Sequence, residues 1–183
     1  MDDNQRRQLL AIARQSIQHG LQHSRPLTID PCDYDESLQH PGASFVTLML
    51  NRQLRGCIGS LQAHRPLVID VAENAFAAAF RDPRFAPLTA AEFPYLEYHI
   101  SLLNPAKAMQ FKDQADLLKQ LRPQVDGLIL EDGEHRGTFL PSVWESLPHP
   151  EQFLQHLKLK AGLPADYWSD TLKVSRYTVE DIE

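Results

Sequence analysis

Residues 44–61 read SFVTLMLNRQLRGCIGSL, and this stretch decides the fold of the region around it. Two apolar runs of strand-forming residues, 45–50 and 54–60, flank the polar triplet 51–53. Such runs on either side of a few polar residues are typical of a β-hairpin with a short turn. We therefore predict two antiparallel strands here.

The second strand of this hairpin carries an arginine, a cysteine and two glycines. Residues two apart in a strand share a face, so Arg55, Cys57 and Gly59 are predicted to point the same way. A cation beside a cysteine favours the reactive thiolate. Two glycines in one short strand indicate a bulge or a close approach by a ligand or another backbone. We therefore predict a cleft wall that includes Gly56, Gly59 and Ser60.

A structural interpretation of the same residues stays open. Cysteine is among the residue types most often buried, and a buried thiol behaves as a small apolar group. Arg55 would then pair with a structural carboxylate. Cys57 is accordingly either a reactive group or a packing residue.

Two helices are predicted around the hairpin. The more apolar one covers residues 65–81, RPLVIDVAENAFAAAFR, and Pro83 ends it. The other covers residues 4–19, with Gly20 as its C-cap, and an irregular connection follows over residues 20–42.

The remainder of the chain alternates between strands and helices. Its predicted elements are a strand at 95–103, a helix at 111–121, a hairpin of 126–130 and 137–140, a helix at 150–161 ended by Gly162, and a strand at 171–179. Because hairpins dominate over βαβ units, the pattern predicts an α+β fold.

Composition narrows the class of protein. The chain has 183 residues and a formal net charge of −6, which disfavours binding to nucleic acid or to anionic lipid. The acidic first residues lack an apolar signal-peptide core, and the longest apolar stretch, 68–80, is too short to span a bilayer. We expect a cytoplasmic protein with Cys32 and Cys57 as free thiols.

Three polar residues near the apolar helix are further candidates. Asn74 lies on the helix itself, where a buried amide needs hydrogen-bond partners, and it supports a loop or contacts a substrate. Asp82 and Arg84 follow the helix and either pin its turn or place a guanidinium where it binds an anion. We include all three among the predicted residues of the ligand cleft.

Known metal and nucleotide motifs are absent. The eight histidines form no HExxH motif or Cys/His cluster, and the chain has no GxGxxG, GxxxxGK[ST] or GxSxG motif. We therefore predict no metal site, and the sequence specifies no cofactor.

Several segments together resemble the AMMECR1 domain family. They are LRGCIGS, RPLVIDVAENAFAAAFRDPRFAPLTAAEF, ISLL, DGLIL, GTFLPSVW and LKAGLPADYW, in this order from about residue 45 to residue 168. The resemblance implies one AMMECR1 domain over residues 1–183. It also implies a two-lobed α+β fold of antiparallel or mixed sheets packed by helices, with residues 54–59 lining a cleft between the lobes. We expect residues 43–103 in the larger lobe and the remaining segments in the smaller one.

The resemblance implies partners but no established activity. Bacterial and archaeal members are associated with a Memo-like protein and a radical SAM protein in the AmmeMemoRadiSam system. The chain departs from the family pattern at Ser142, where Gln is common, and at Pro148, near a frequent Trp. It also has His99 in the central strand, where an acidic residue is common.

Two functional hypotheses follow. In the first, the protein is an enzyme or modifying subunit with Cys57 as nucleophile or covalent handle, Arg55 as its electrostatic partner and His99 as proton carrier. In the second, it is an adaptor whose cleft binds a peptide, a small acid or the partner proteins. Nucleic-acid regulation ranks third because the chain is acidic.

Overall fold

A computed structural model describes all residues, 1–183, and divides them into two compact units. Unit 1 comprises residues 1–103 and 180–183, and unit 2 comprises residues 104–179. Five α-helices and three β-sheets make up the chain. The predicted α+β class is therefore confirmed.

The secondary structure follows the chain in this order. The helices are α1 (Asp3–His23), α2 (Glu36–Gln39), α3 (Leu67–Phe80), α4 (Gln114–Gln120) and α5 (Pro150–Lys160). The strands are β1 (Pro41–Gly42), β2 (Ser44–Leu50), β3 (Gln53–Gly59), β4 (Arg65–Pro66), β5 (Leu96–Leu103), β6 (Lys107–Ala108), β7 (Gly127–Asp132), β8 (His135–Phe139), β9 (Lys173–Tyr177) and β10 (Val179–Ile182). None of the five helices combines the length and apolar character needed to cross a membrane.

Unit 1 is built on a four-stranded sheet with the order β10-β5-β2-β3. Its core joins apolar residues of α1, α3 and the sheet, among them Leu9, Ile12, Val46, Leu48, Val71, Ala75 and Ile100, all of which are almost completely buried. Along β2 the buried residues alternate with half-buried ones, so one face of the sheet contacts the core. The other face presents the half-buried Phe45 and Thr47.

The hairpin of β2 and β3 matches the sequence prediction. The strands pair antiparallel, and the turn consists of Asn51 and Arg52. Both turn residues have positive φ, 52° and 62°, as in the two-residue turns that suit the twist of a hairpin. Leu48 opposes Gly56 while Met49 opposes Leu54, so a bulge interrupts β3 at Arg55.

Gly56 allows α3 to approach β3 closely. A Cβ atom at this position would lie 2.1 Å from the backbone oxygen of Ala78 in α3. The space beside Gly59 is also filled by the protein, because a Cβ there would lie 2.2 Å from Cγ of Phe45. Both glycines therefore make room for the protein's own atoms, a helix backbone in one case and an aromatic ring in the other.

The predicted end of the first helix at Gly20 is wrong. Helix α1 continues to His23, and Ser24 caps it in the left-handed conformation with an N–H donated to the Gly20 carbonyl. Gly20 is needed for packing, since a Cβ there would lie 2.5 Å from the ring of Phe80. The glycine thus serves a helix contact that the local pattern does not reveal.

Unit 2 contains a four-stranded sheet with the order β6-β9-β7-β8, together with α4 and α5. Its core includes Trp144, which stacks on Phe153 with ring centroids 3.7 Å apart. The predicted hairpin forms β7 and β8, and Gly162, with φ of 81°, follows α5 as expected. The predicted helix at 111–121 is shorter than expected and begins at Gln114.

We predict that Gly56→Ala destabilises the protein by about 3 kcal/mol or more, because the new methyl group collides with a helix backbone that cannot move alone. Gly59→Ala is the matched control and is expected to cost less, about 1–2 kcal/mol, since the Phe45 side chain and not a helix backbone has to move. Urea unfolding of both variants measures the difference. Equal, small losses would show that α3 is not held at the distance described.

Candidate functional site

Cys57 lies on β3, an edge strand of the unit 1 sheet. It opposes Thr47 of β2, and the Thr47 hydroxyl donates a hydrogen bond to the Cys57 sulfur over 3.2 Å. Cys57 is neither fully buried nor fully exposed. The thiol is therefore held by a neighbouring side chain while part of the residue contacts solvent.

The unpaired edge of β3 at Cys57 is covered by two side chains from the loop after α3. Asp82 Oδ2 accepts the Cys57 backbone N–H at 2.9 Å, and Arg84 Nη2 donates to the Cys57 carbonyl oxygen at 3.3 Å. Edge strands expose such backbone groups unless something pairs with them. Asp82 and Arg84, here called the clasp, take the place of a further strand at this residue.

The clasp is itself a bidentate ion pair. Arg84 Nε donates to Asp82 Oδ1 at 3.0 Å and Nη2 donates to Oδ2 at 2.7 Å. The Asp82 side chain is 2% exposed and that of Arg84 is 53% exposed. The hydrogen bond from Arg84, opposed by desolvation and supported by the backbone N–H of Cys57, holds the pKa of Asp82 well below its usual range. The aspartate is accordingly charged at neutral pH.

Arg55 pairs with a glutamate. Its Nε donates to Glu92 Oε1 at 2.7 Å, and its Nη2 donates to Glu92 Oε2 at 3.2 Å and to the Ala86 carbonyl at 2.9 Å. Its Nη1 is buried without a hydrogen-bond partner. Because a bulge interrupts the register of β3 at Arg55, the alternation of a regular strand does not fix the direction of Arg55 relative to Cys57. The guanidinium brought to Cys57 is that of Arg84.

His99 lies one strand beyond Thr47. It opposes Thr47 across β2 and β5, and its Nδ1 lies 3.1 Å from Glu183 Oε1. Cys57, Thr47 and His99 thus form a row across three adjacent strands. Two strand spacings place the Cys57 and His99 backbones roughly 10 Å apart, so a proton passing between their side chains needs an intermediate carrier.

Ser60 and Asn74 belong to a buried polar network around Asp70, which is fully buried. Asp70 accepts hydrogen bonds from the Ser44 N–H and hydroxyl, the Ser60 hydroxyl, Arg65 Nε and Asn74 Nδ2, at 2.7 to 2.9 Å. Asn74 also donates to the Ser44 carbonyl at 3.0 Å. Through this network Asn74 joins α3 to Ser44 at the start of β2 and to Ser60 after β3.

Sequence reasoning missed Asp70 and Glu92. A signal was present for Asp70, which precedes Asn74 by four residues and therefore shares its side of the most apolar helix. A carboxylate among such apolar neighbours requires partners if it is buried. Glu92 carried no comparable signal, because it lies in an irregular segment 37 residues beyond Arg55.

Comparison with known proteins assigns the chain to a family. The model of the family described as AMMECR1 matches residues 10–182. The chain belongs to the AMMECR1 family. A protein of Methanothermobacter thermautotrophicus is 37% identical over 169 residues, which cover 90% of this chain and 85% of that relative. Protein MJ0810 of Methanocaldococcus jannaschii is 35% identical and covers 82% of this chain and 77% of its own length.

The fold is shared with a solved AMMECR1-like structure. The crystal structure of the uncharacterized protein PH0010 from Pyrococcus horikoshii superposes with a TM-score of 0.90 at 31% identity, covering 99% of this chain and 92% of that one. The resemblance noted in the sequence is therefore confirmed over nearly the whole AMMECR1 chain. Neither the matched family nor this structure carries an assigned activity.

The predicted site residues of the AMMECR1 chain fall into five structural groups. Cys57, Asp82 and Arg84 meet at the edge of β3. The others divide between Arg55 with Glu92, the Asp70 network with Ser60 and Asn74, His99 in the row through Thr47, and the internal contacts of Gly56 and Gly59. Their catalytic and ligand-binding roles stay predictions.

The Arg55–Glu92 pair makes stability depend on pH. Hydrogen bonding from Arg55, opposed by desolvation and helped by Thr89, lowers the pKa of Glu92 to about 2 from 4.5. Because the unfolded chain binds the proton more readily, this contribution is present above pH 4.5 and is lost as the pH falls towards 2. Glu92→Gln is expected to cost about 1–2 kcal/mol at pH 7.

Urea unfolding from pH 7 to pH 2 measures this contribution. The difference between the wild type and Glu92→Gln should shrink across the acid range. Glu97→Gln, which changes an exposed carboxylate of β5, is the control and should leave stability almost unchanged. A Glu92→Gln variant as stable as the wild type at pH 7 would contradict the structural role given to Arg55.

Proposed function

We propose that this AMMECR1 family member is a cytosolic, thiol-dependent enzyme or modifying subunit in which Cys57 is the nucleophile or covalent handle. The observation that carries the proposal is the hydrogen bond from Thr47 to a thiol that is not fully buried. A donor directed at sulfur stabilises negative charge on it. The clasp and β2 restrain Cys57 from both sides of the strand.

The proposed chemistry is nucleophilic attack by the Cys57 thiolate on an electrophilic carbon. A bond forms between sulfur and carbon, and the leaving group departs with its electron pair. The thiol proton passes to water, or to His99 by way of a carrier placed along the row through Thr47. Glu183 contacts Nδ1 of His99 and so restrains the orientation of its ring.

The family resemblance is the source of the partner proteins proposed here. We propose that the protein acts with Memo-like and radical SAM proteins, as the resemblance implies. The electrophile would then be a small molecule or a peptide group presented by such a partner. The acidic net charge of −6 disfavours nucleic acid as the ligand.

We predict that Cys57 is alkylated by iodoacetamide at pH 7 faster than Cys32, which is exposed and serves as an internal control. Mass spectrometry of the two cysteine peptides over time gives both rates. Thr47→Val, which removes the donor and keeps the side-chain shape, should slow Cys57 several-fold and leave Cys32 unchanged. A Cys57 that reacts no faster than free cysteine would end the proposal of a covalent role.

A second candidate function is a non-catalytic adaptor that uses the same surface. It is favoured by the contacts that Arg55, Gly56 and Asn74 make within the protein. These contacts account for the three residues without a substrate. In this case Cys57 is a packing residue held by Thr47. The exposed Arg84 is then the group best placed to contact a partner.

A pull-down with a purified Memo-like protein distinguishes the two functions. The adaptor predicts weaker association for Arg84→Ala and unchanged association for Cys57→Ser, with circular dichroism confirming that both variants are folded. Arg52→Ala changes an exposed arginine of the same hairpin and is the control. Association that is insensitive to Arg84 would count against the adaptor surface.

A further inference from the structure

We propose that the Cys57 site selects an anionic substrate, a small carboxylate-bearing electrophile whose carboxylate is bound by Arg84. This inference rests on the proposed thiol chemistry and adds the class of substrate. It follows from the way in which the clasp distributes its charge and its hydrogen-bond donors.

The acidic half of the clasp is saturated by donors from the protein. Asp82 accepts hydrogen bonds from the Cys57 N–H, from the Arg84 backbone N–H at 3.1 Å, and from Nε and Nη2 of the Arg84 side chain. Its side chain is 2% exposed. A ligand approaching Cys57 therefore meets little of this carboxylate.

The basic half of the clasp is exposed. The Arg84 side chain is 53% exposed, and its hydrogen bonds within the protein use Nε and Nη2, so both N–H groups of Nη1 are directed to no protein acceptor. An ion pair with a buried anion and an exposed cation presents its positive end to solvent. Guanidinium N–H groups are strong donors to carboxylates.

The orientation of Arg84 is restrained, which distinguishes it from a freely rotating surface arginine. Asp82 holds one edge of the guanidinium, and the ring of Phe85 lies 5.4 Å from its central carbon. The pKa of Arg84 is raised, chiefly by its hydrogen bond to Asp82 and against desolvation. A donor fixed in this way loses little conformational entropy on binding.

In this proposal the reacting molecule contacts Arg84 and Cys57 at the same time. Its carboxylate would bind the Nη1 group of Arg84 while the adjacent carbon reaches the Cys57 sulfur. Sulfur then bonds to that carbon as the leaving group departs with its electron pair. Both contacts come from residues that the same loop fixes, because Arg84 donates to the Cys57 carbonyl.

Two alkylating reagents test the charge preference directly. Iodoacetate and iodoacetamide share the reacting carbon and the iodide leaving group, and they differ in carrying a carboxylate or a neutral amide. The full chain with Cys32→Ser reports Cys57 alone. We expect the iodoacetate-to-iodoacetamide rate ratio to exceed that of the uncharged reference thiol N-acetylcysteine amide by about fivefold at low salt, the effect of one charge about 4 Å away in water, and to decline as salt rises.

Variants at Arg84 and Arg52 show which arginine causes the preference for iodoacetate. Arg84→Gln should reduce the ratio to that of N-acetylcysteine amide, Arg84→Lys should retain part of the excess, and Arg52→Gln should leave the ratio unchanged. Because Arg84→Gln removes the partner of a buried aspartate, the double variant Asp82→Asn/Arg84→Gln provides a neutral pair. On the unmodified chain, propionate should slow the reaction with iodoacetamide and propionamide should not.

The outcomes separate this inference from the proposed function. A Cys57 that reacts rapidly with iodoacetamide, but with a ratio no higher than that of N-acetylcysteine amide, overturns the anionic substrate and leaves the thiol chemistry intact. Slow reaction of Cys57 with both reagents overturns the thiol chemistry. The iodoacetate-to-iodoacetamide rate ratio still measures the preference of the site for a negative charge. A ratio that Arg84→Gln leaves unchanged also overturns the role given to Arg84.

Discussion

The close approach of α3 to β3 at Gly56 is the constraint on which the Cys57 site depends. Only a residue without a side chain lets the Ala78 carbonyl lie against the strand. Helix α3 ends at Phe80, so the residues that follow emerge beside the edge of β3. Asp82 and Arg84 can then reach the backbone of Cys57. One missing Cβ atom thus sets the position of the whole clasp.

Charged groups around the hairpin are arranged in pairs with different exposure. Asp70 with Arg65 and Glu92 with Arg55 are tied into several further hydrogen bonds and hold loops against the sheet. The clasp differs in the exposure of its base, because the Arg84 side chain is 53% exposed whereas those of Arg65 and Arg55 are 26% and 12% exposed. The same chemical pairing therefore serves as internal support in two places and, at Cys57, leaves donors available to a ligand.

Local patterns predicted much of the fold and part of the site. The hairpin, α3 and the α+β class follow from apolar periodicity and from turn residues, which act over short distances along the chain. The bulge that displaces Arg55 and the partnership with Glu92 depend on register and on a long-range contact, which spacing along one strand cannot show. Gly20 was misread for the same reason, because its packing against Phe80 lies outside its own helix.

The order of the unit 1 sheet has a consequence for how the chain reaches its folded state. Strand β10 lies next to β5, yet residues 104–178 separate them in the chain. During synthesis, β5, β2 and β3 are available to pair long before β10 is made. The sheet is completed only after the intervening segment, which forms most of unit 2, has been produced. Closing so large a loop slows that last pairing, so we expect the contact between His99 and Glu183 to form late in folding.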